Sequence, residues 1–346
     1  MNSFSAEILR WFRENGRDLP WRETKDPYAI WLSEIILQQT RIVQGWEYWE
    51  RFMQTYPKVE DLAAASEDDV LKLWQGLGYY SRARNLHAAA KQIVALGSFP
   101  NTLDGIKSLK GVGDYTAAAI GSFAFDIPAA VVDGNVYRVL SRYFGIDTPI
   151  NSTQGKKEFA ALAQSLLPAS DAASYNQGMM DFGAIQCTPQ SPKCLLCPLA
   201  ETCEALRCGR VEELPVKNKT VKVKTRHLSY IYIRCKSSVA DGAGNTEPMV
   251  AIHRRGEGDI WQGLWEPYNV SDVKELPSFV KNPILLAKDV KHVLTHRILL
   301  ADFYLLETET CPQLPDDYIW IKESEIEDYG VPRLIEIMLE KINPAE

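Results

Sequence analysis

A Gly-Val-Gly turn, at residues 111–113, lies between two segments whose residue patterns predict helices. Gly111 can adopt the left-handed conformation that ends a helix, and Gly113 allows a close backbone approach to a ligand. The residues after the turn, 114–116, would form the first turn of a helix whose free N–H groups can bind a DNA phosphate. The alternative is an ordinary helical hairpin with glycine at its turn.

Two carboxylates have surroundings that could support acid–base or electrostatic chemistry. Asp133 follows a loop and opens the next predicted helix, where the helix N-terminus would favour its negative charge. Glu34 lies among Trp31, Ile35 and Leu37 on another predicted helix. A lone glutamate is usually a solvated residue on a polar helix face. Apolar neighbours can instead raise the pKa of the carboxyl to the range that a general acid needs near neutral pH.

Four of the seven cysteines are crowded into one segment with the spacing C-x6-C-x2-C-x5-C: Cys187, Cys194, Cys197 and Cys203. In a reducing compartment such crowding indicates a metal centre rather than disulfides. Four thiolates also suit zinc, and the spacing differs from both common ferredoxin patterns. Cys208, Cys235 and Cys311 show no ligand spacing, and we expect them to be packing residues.

The composition is that of a globular chain. It has 346 residues, of which 46% are hydrophobic and 24% charged, a length that suits two or three domains. No run of about 18 apolar residues occurs, so we expect no membrane span. The first residues carry no basic and apolar signal region, and we expect a cytoplasmic protein. A net charge of −7 argues against a polybasic DNA coat but says little about a local groove.

The helical elements that must position these groups are predicted at 4–15, 28–44, 46–56 and 67–74, with Glu34 on the second. A glycine turn follows at 76–78, and after it come Tyr79, Tyr80, Arg82 and Arg84. Aromatic rings can stack on bases, and guanidinium groups can bind phosphate. An aromatic pair that belongs to the protein core is the alternative.

The pattern changes near Leu228, after a polar linker at 209–227. Alternation predicts strands at 229–234 and 249–254, with a loop at 241–245 between them. Residues 291–297 predict a strand, a loop and a strand. The two histidines in this last segment could be a metal site or solvent-facing residues.

Several of these segments resemble one group of DNA repair enzymes. Residues 109–117 (LKGVGDYTA) and 132–138 (VDGNVYR) resemble the helix-hairpin-helix base-excision DNA glycosylases, and the cysteine spacing resembles the iron–sulfur loop of its endonuclease III-like members. Residues 33–40 (SEIILQQT) and 76–86 (GLGYYSRARNL) resemble the MutY-type adenine glycosylases. Residues 261–265 (WQGLW) resemble a Nudix-like element, although 268–279 lack the glutamates of the Nudix hydrolase box.

The resemblance implies an all-α helix-hairpin-helix core with an iron–sulfur loop, followed by a C-terminal Nudix-like α/β domain without hydrolase chemistry. It divides the chain into a six-helix domain at 26–130, an iron–sulfur helical domain at 1–25 and 131–208, the linker at 209–227, and a lesion-recognition domain at 228–346. The N-terminal helix is thereby expected to pack with the cysteine-rich segment.

The implied function is monofunctional hydrolysis of adenine paired with 8-oxoguanine or guanine in double-stranded DNA. We expect a monomer that acts on the bacterial nucleoid in the cytoplasm. Glu34 takes the position of the general acid, and Asp133 that of the carboxylate which stabilises the oxocarbenium ion. Tyr115 and Asn135 flank Asp133 in the family site. One [4Fe-4S] cluster is implied at the four cysteines.

The resemblance also implies the residues that contact DNA. Gln38, Gln39 and Thr40 would meet the opened duplex, and Gln39 and Tyr79 would wedge into the base stack. The other implied DNA contacts are Arg22, Arg82, Arg84, Gly111 and Gly113. The loop that reads the lesion would be Leu294, Thr295 and His296, where leucine replaces the usual phenylalanine.

Two alternatives remain. An endonuclease III-like pyrimidine glycosylase and lyase would need an amine nucleophile, but Tyr115 stands where that lysine would be, and such enzymes lack the C-terminal domain. A non-catalytic iron–sulfur DNA-binding protein would have no need for two carboxylates in matching contexts.

Overall fold

The computed structural model describes residues 3–218, 223–236, 247–271 and 276–343. It divides into two compact units. The first contains Met1–Ala64 and Asn85–Lys219, and the second contains Ala65–Arg84 and Thr220–Glu346. The predicted loop at 241–245 lies outside the described residues, and so do residues 272–275 of the segment that lacks the Nudix hydrolase box. Within those ranges no helix is long and apolar enough to cross a membrane.

Helices make up most of the first unit. In chain order the first six helices are α1 (Ser3–Asn15), α2 (Pro27–Ile36), α3 (Ile42–Thr55), α4 (Val59–Ala64), α5 (Glu67–Trp74) and α6 (Ser81–Leu96). The next six are α7 (Leu103–Lys107), α8 (Asp114–Phe125), α9 (Gly134–Phe144), α10 (Thr153–Leu166), α11 (Ala172–Asp181) and α12 (Glu204–Arg207). Helix α5 belongs to the second unit, and the boundary between the units falls within α6.

The predicted helix at 28–44 is wrong in its second half. Helix α2 ends at Ile36, a turn follows, and α3 begins at Ile42, four residues before the predicted start of the next helix. Gln39 lies in this turn with a left-handed φ of 57°. No glycine or proline marks the break, so the sequence pattern runs through it. The turn places Gln38, Gln39 and Thr40 next to the C-terminal end of the helix that carries Glu34.

Two apolar clusters organise the first unit. In one, α1 packs against α9, α10 and α11, and the Trp11 and Phe182 rings meet edge to face with centroids 5.0 Å apart. In the other, Ile30 of α2 packs with Ala118, Ala119 and Phe123 of α8. Burial of these apolar surfaces holds α2 beside α8, and it therefore brings the helix that carries Glu34 next to the helix that follows the glycine turn.

The second unit contains a mixed seven-stranded sheet. Its strands are β1 (Lys224–Cys235), β2 (Met249–Arg254), β3 (Trp265–Glu266), β4 (Tyr268–Asn269), β5 (Ile284–Val293), β6 (Arg297–Thr308) and β7 (Tyr318–Lys322). The order is β3-β2-β1-β6-β5, while β4 pairs with β1 and β7 pairs with β2. Only the β1–β6 pair is parallel among the strands described. Helix α13 (Arg333–Ile342) packs on one face through Leu334, Ile335 and Met338.

The predicted strands at 229–234 and 249–254 are confirmed. The predicted linker at 209–227 is too long, because β1 already begins at Lys224, where it pairs with Arg297. The first residues of β1 are mostly polar and exposed, which is why their sequence suggests a linker.

Cys235 and Cys311 form a disulfide, with Cα atoms 5.2 Å apart. The expectation that both are plain packing residues is therefore wrong. Cys235 is buried at the end of β1, and its partner follows 76 residues later, so their spacing in the sequence gives no sign of the pairing. The Cα distance lies in the ordinary range for a disulfide.

Candidate active site

A cleft of about 550 Å³ in the first unit brings together the four residues expected to act in catalysis. Glu34, Tyr115, Asp133 and Asn135 all line it. The turn after α2 contributes Gln38, Gln39 and Thr40 to the same cleft, and Arg17 and Met180 complete part of its wall. Segments far apart in the sequence therefore converge on one concave site, as small-ligand sites usually require.

Glu34 is buried, and its carboxyl group accepts one hydrogen bond. It is 7% exposed, and the Tyr115 hydroxyl donates to its Oε2 at 2.9 Å. Burial raises the pKa of Glu34 to about 7, against the hydrogen bond from Tyr115. The negative charge of Asp133 raises this pKa further, and the positive charge of Arg22 lowers it. Glu34 is thereby suited to carry a proton near neutral pH.

Each carboxyl oxygen of Asp133 accepts a hydrogen bond. The residue is the N-cap of α9, where Oδ1 accepts from the Val136 N–H at 2.8 Å and Oδ2 accepts from the Asn135 amide at 2.7 Å. Burial raises the pKa of Asp133, and these donors oppose that rise because they stabilise the ionised form. Of the two carboxyl groups, Asp133 therefore has the surroundings of a carboxylate and Glu34 those of an acid.

Arg138 connects this carboxylate to the cysteine loop. Its Nη2 donates to Asn135 Oδ1 at 2.8 Å and to the Gly183 carbonyl at 2.6 Å, and its Nε donates to the Cys187 carbonyl at 2.7 Å. The contact with Asn135 fixes which side of that amide donates to Asp133. Arg138 ends the 132–138 motif, but its residue type alone does not predict this role, because its partners lie up to 49 residues away in the sequence.

Arg22 was expected to contact DNA, but its guanidinium group points into the protein. It donates to both carboxylate oxygens of Asp181, at 2.8 and 2.9 Å, and Arg17 donates to the same carboxylate. Asp181 has no exposed surface. Burial alone would raise its pKa, but the hydrogen bonds from Arg22 and Arg17 bring that pKa below its usual value. The sequence gives no sign of this role for Asp181, because the two arginines that donate to it precede it by more than 150 residues.

The glycine turn has the geometry that its sequence predicted. Gly111 has a left-handed φ of 77°, and a Cβ atom there would lie 2.7 Å from the Asn85 Cβ. Gly113 is the N-cap of α8, and a Cβ atom at this position would meet nothing within 4 Å. No side chain or backbone atom therefore obstructs the start of α8 at Gly113, where an anion site at the helix N-terminus would lie.

A second cleft, of about 600 Å³, lies within the second unit. The predicted lesion loop of Leu294, Thr295 and His296 lines it together with Tyr79 and Arg84. Tyr79 is 46% exposed, and its hydroxyl group and the Thr295 hydroxyl form a hydrogen bond. The backbone of Tyr79 is left-handed, with φ 47°, a conformation that bulky residues seldom adopt and that often marks a functional position.

Arg82 and Arg84 make hydrogen bonds to the protein itself. Arg82 is 9% exposed and donates to the carbonyl groups of Leu77 and Gly78, both at 3.3 Å. Arg84 Nη1 donates to the Gln262 carbonyl at 2.6 Å. Both arginines were expected to bind phosphate. In the structure their guanidinium groups instead donate to backbone carbonyl groups of two turns that line the second cleft.

The four predicted ligand cysteines, Cys187, Cys194, Cys197 and Cys203, line one small cavity in the first unit. All four are free thiols, and Arg142 Nη1 donates to the Cys187 sulfur at 3.4 Å. Within the described residues no three Cys, His, Asp or Glu side chains converge closely enough to hold a single metal ion. Four thiols around one cavity are a donor set that fits an iron–sulfur centre.

Three family models match the chain. Residues 32–168 match the HhH-GPD superfamily base excision DNA repair protein, residues 187–203 match the iron-sulfur binding domain of endonuclease III, and residues 244–341 match the NUDIX domain. The helical fold, the iron–sulfur motif and the Nudix-like domain expected from the sequence are confirmed.

The chain is similar to several adenine DNA glycosylases. It is 31% identical over 350 residues to that of Buchnera aphidicola subsp. Schizaphis graminum, an alignment that covers 97% of this chain and 98% of the relative. It is 41% identical over 229 residues to that of Mus musculus, covering 62% of this chain and 44% of the mouse protein.

The chain also resembles solved structures. A thermostable thymine-DNA glycosylase superposes with a TM-score of 0.56 at 34% identity, covering 59% of this chain and 95% of that one. A non-covalent endonuclease III–DNA complex superposes with a TM-score of 0.52 at 23% identity, covering 60% and 94%, which supports the fold alone.

Proposed function

Because the chain belongs to the adenine DNA glycosylase family, we propose that Glu34 and Asp133 divide the chemistry of adenine excision between them. The protein is a monofunctional DNA N-glycosylase of base excision repair, and it carries an iron–sulfur centre. The observation that carries the proposal is that two carboxyl groups, a buried one at Glu34 and a half-buried one at Asp133, line one cleft with different hydrogen-bond surroundings.

The reaction needs both groups. An adenine inside the duplex cannot be reached, so the nucleotide must rotate out of the stack into the cleft. Adenine leaves poorly unless it is protonated, and Glu34 would donate its proton to N7. The glycosidic bond then breaks with its electron pair on the base, which leaves a sugar with oxocarbenium character.

Asp133 would stabilise this cation as a fixed carboxylate, held by Asn135 and the start of α9. Glu34, ionised after the transfer, could then accept a proton from the water that attacks the sugar. The products are free adenine and an abasic site. Tyr115 would hold the Glu34 carboxyl in place through its hydroxyl.

We propose that the second cleft receives the base opposite the adenine, either 8-oxoguanine or guanine. Thr295 and His296 offer polar groups to a purine edge, and 8-oxoguanine differs from guanine by a carbonyl group and an added N7–H donor. Hydrogen bonds matched to such differences provide about 1–3 kcal/mol of discrimination. The bond between Tyr79 and Thr295 supports this use of the loop. Gln38, Gln39 and Thr40, with Gly111 and Gly113, would contact the opened strand.

The substrate assignment is tested by measuring the products from duplexes with one defined pair each. We expect free adenine from A opposite 8-oxoguanine and from A opposite guanine, with little from A opposite thymine. Duplexes that carry an oxidised pyrimidine should remain intact. Release of an oxidised pyrimidine with strand cleavage would instead support the endonuclease III-like alternative.

We propose that the iron–sulfur centre is one [4Fe-4S] cluster with Cys187, Cys194, Cys197 and Cys203 as ligands. The role of the cluster would be structural. The loop that it closes accepts a hydrogen bond from Arg138 at the Cys187 carbonyl, and Arg138 also donates to Asn135 beside Asp133. A broad visible absorption near ~400 nm, with about four irons and four sulfides per chain, is the expected result. A colourless, fully active protein that contains one zinc ion would contradict it.

We also propose that the chain acts as a monomer in the bacterial cytoplasm at the nucleoid, where its DNA substrate would lie. Light scattering should then give a mass near the 39.0 kDa of one chain. A mass of two chains that persists on dilution would contradict the monomer.

A further inference from the structure

Trp261 is an aromatic side chain of the second cleft to which no role has yet been given. It lines this cleft with Tyr79, Thr295 and His296. Its backbone is left-handed, with φ 61°, as is that of Tyr79. A bulky residue in this conformation costs free energy and persists only where its surroundings hold it. Two aromatic residues of one cleft are thus held in an unfavourable backbone conformation.

A partly buried ion-pair network lies against the indole ring of Trp261. The Arg255 guanidinium lies over the ring at 5.9 Å from its centroid, and the His292 ring lies 5.9 Å away on centroids. Arg255 is itself buried and pairs with Glu266 at 2.5 Å and with Asp259 at 2.7 Å. The cation over the ring therefore has fixed partners of its own, which restricts the ring's position.

The residues that follow Trp261 are also held in place. The Gln262 carbonyl accepts the hydrogen bond from Arg84, and Gly263 has a left-handed φ of 83°. A Cβ atom on Gly263 would lie 3.1 Å from the Leu71 side chain of α5, so the turn packs closely on that helix. The turn that carries Trp261 is therefore held by the hydrogen bond from Arg84 and by its packing on α5.

The loop expected to read the lesion lacks a ring of its own. Leu294 stands at its first position, and its side chain, like the indole ring of Trp261, packs partly against the apolar core of the second unit. A leucine cannot offer the flat face on which a purine stacks, whereas the indole ring of Trp261 can. Trp261 lies within the same cleft as the Thr295 and His296 side chains that would read the purine edge.

We propose that Trp261 supplies the stacking surface for the base opposite the adenine, and that it is a substrate-binding residue of this enzyme. This inference rests on the proposed use of the second cleft for that base. Thr295 and His296 read the edge of the purine, and Trp261 binds its face. Any purine gains from the stacking contact, so Trp261 contributes affinity for 8-oxoguanine and for guanine alike.

The test is the affinity of the full chain for three duplexes that carry a non-cleavable adenine analogue. The analogue is placed opposite 8-oxoguanine, opposite guanine, and opposite a tetrahydrofuran abasic site. Trp261→Leu should weaken binding about tenfold to the two duplexes that contain a base, because a stacking contact is lost. Binding to the abasic duplex should change less than about twofold, since it offers no base to stack. Trp261→Phe should retain most of the affinity.

Trp320→Leu is the matched control, because it also removes an indole ring but from the opposite face of the sheet. It should leave all three affinities unchanged. If Trp261→Leu fails to fold, Trp261→Met keeps a long apolar side chain without a ring and takes its place. A loss of equal size on all three duplexes, or no loss on any of them, overturns the inference.

The double variant Thr295→Ala with His296→Ala separates this inference from the proposal on which it rests. If that variant loses the preference for 8-oxoguanine while Trp261→Leu binds normally, only the role of Trp261 is rejected. If the double variant keeps the preference unchanged, the lesion-reading proposal itself is rejected, and the inference that depends on it is rejected as well.

Discussion

At the scale of single residues, the chemistry depends on which donors reach each carboxyl group. Asp133 receives an amide N–H on each oxygen, whereas Glu34 receives one hydroxyl from Tyr115. Glu34 is buried and Asp133 is half-buried, and desolvation raises the pKa of both, so burial alone cannot assign their roles. The donors can, because they stabilise the ionised form of Asp133 more than that of Glu34.

The raised pKa of Glu34 predicts a pH-dependent cost to stability. Folding raises the pKa of Glu34 from its ordinary value of 4.5 to about 7, so the native state binds the proton more tightly than the unfolded chain does. The contribution of Glu34 to stability is therefore full below about pH 4.5 and is lost as pH rises to about 7. Glu34→Gln should be more stable than wild type at about pH 8, by an amount on the order of 3 kcal/mol.

Urea unfolding at several pH values measures this difference, which should shrink as the pH approaches about 4.5. Glu60→Gln, at an exposed position on α4, is the control and should show no such trend. A Glu34→Gln difference that does not vary with pH would show that the wild-type carboxyl titrates normally.

Tyr115 predicts the absence of a covalent DNA adduct. A phenol cannot form an imine with the sugar, so borohydride should trap little protein on DNA during turnover. Gel analysis of the reaction, with a bifunctional lyase as positive control, measures this directly. Efficient trapping would reveal a lysine nucleophile, and Lys110 in the glycine turn would be the first to replace.

At the scale of elements, the loop before Asp133 is fixed by two side-chain amides. Asn176 of α11 accepts from the Val131 N–H at 3.1 Å and donates to the Ala129 carbonyl at 2.8 Å. Gln164 of α10 accepts from the Ala130 N–H at 3.0 Å and donates to the Pro128 carbonyl at 2.9 Å. Asn176 is buried, whereas the bonds of Gln164 are exposed.

Asn176→Ala should therefore lower the single-turnover rate of excision by about 10- to 100-fold, because a small displacement of Asp133 is costly. Stability should fall by about 1–3 kcal/mol, since buried backbone groups lose their partner. Gln164→Ala removes two exposed hydrogen bonds that water can replace. Its rate of excision should therefore stay within about twofold of wild type. Equal rates for both variants would mean that Asn176 does not position Asp133.

The sequence predicted elements well where the signal was local. The bounds of α5 and β2, the left-handed Gly111 and the cap at Asp133 all follow from residue types within one turn or strand. The break after α2 could not be predicted, because a left-handed glutamine ends the helical run without glycine or proline. The contacts of Arg22, Asp181 and Trp261 were missed for another reason, since each depends on residues brought together only by folding.

At the scale of the whole molecule, the iron–sulfur loop joins the end of the helical unit to its catalytic residues. Cys197→Ser should lose iron and lower the amount of folded protein, because the three remaining thiols would no longer hold the cluster that closes the loop. Iron content and thermal unfolding measure this. Cys208→Ser, at an exposed free thiol outside the predicted ligand set, is the control and should keep both. Full iron content in Cys197→Ser would remove that residue from the ligand set.

The most direct test of the central claim is the single-turnover rate of adenine excision from A opposite 8-oxoguanine, measured across pH for wild type, Glu34→Gln and Asp133→Asn. The wild-type rate should fall as pH rises above about 7, where Glu34 loses the proton that it must donate. Each variant should be about 100- to 1000-fold slower while it still binds the duplex, and Glu60→Gln should match wild type. Excision by either carboxyl variant within about tenfold of wild type would contradict the assignment of Glu34 as acid and Asp133 as stabilising carboxylate.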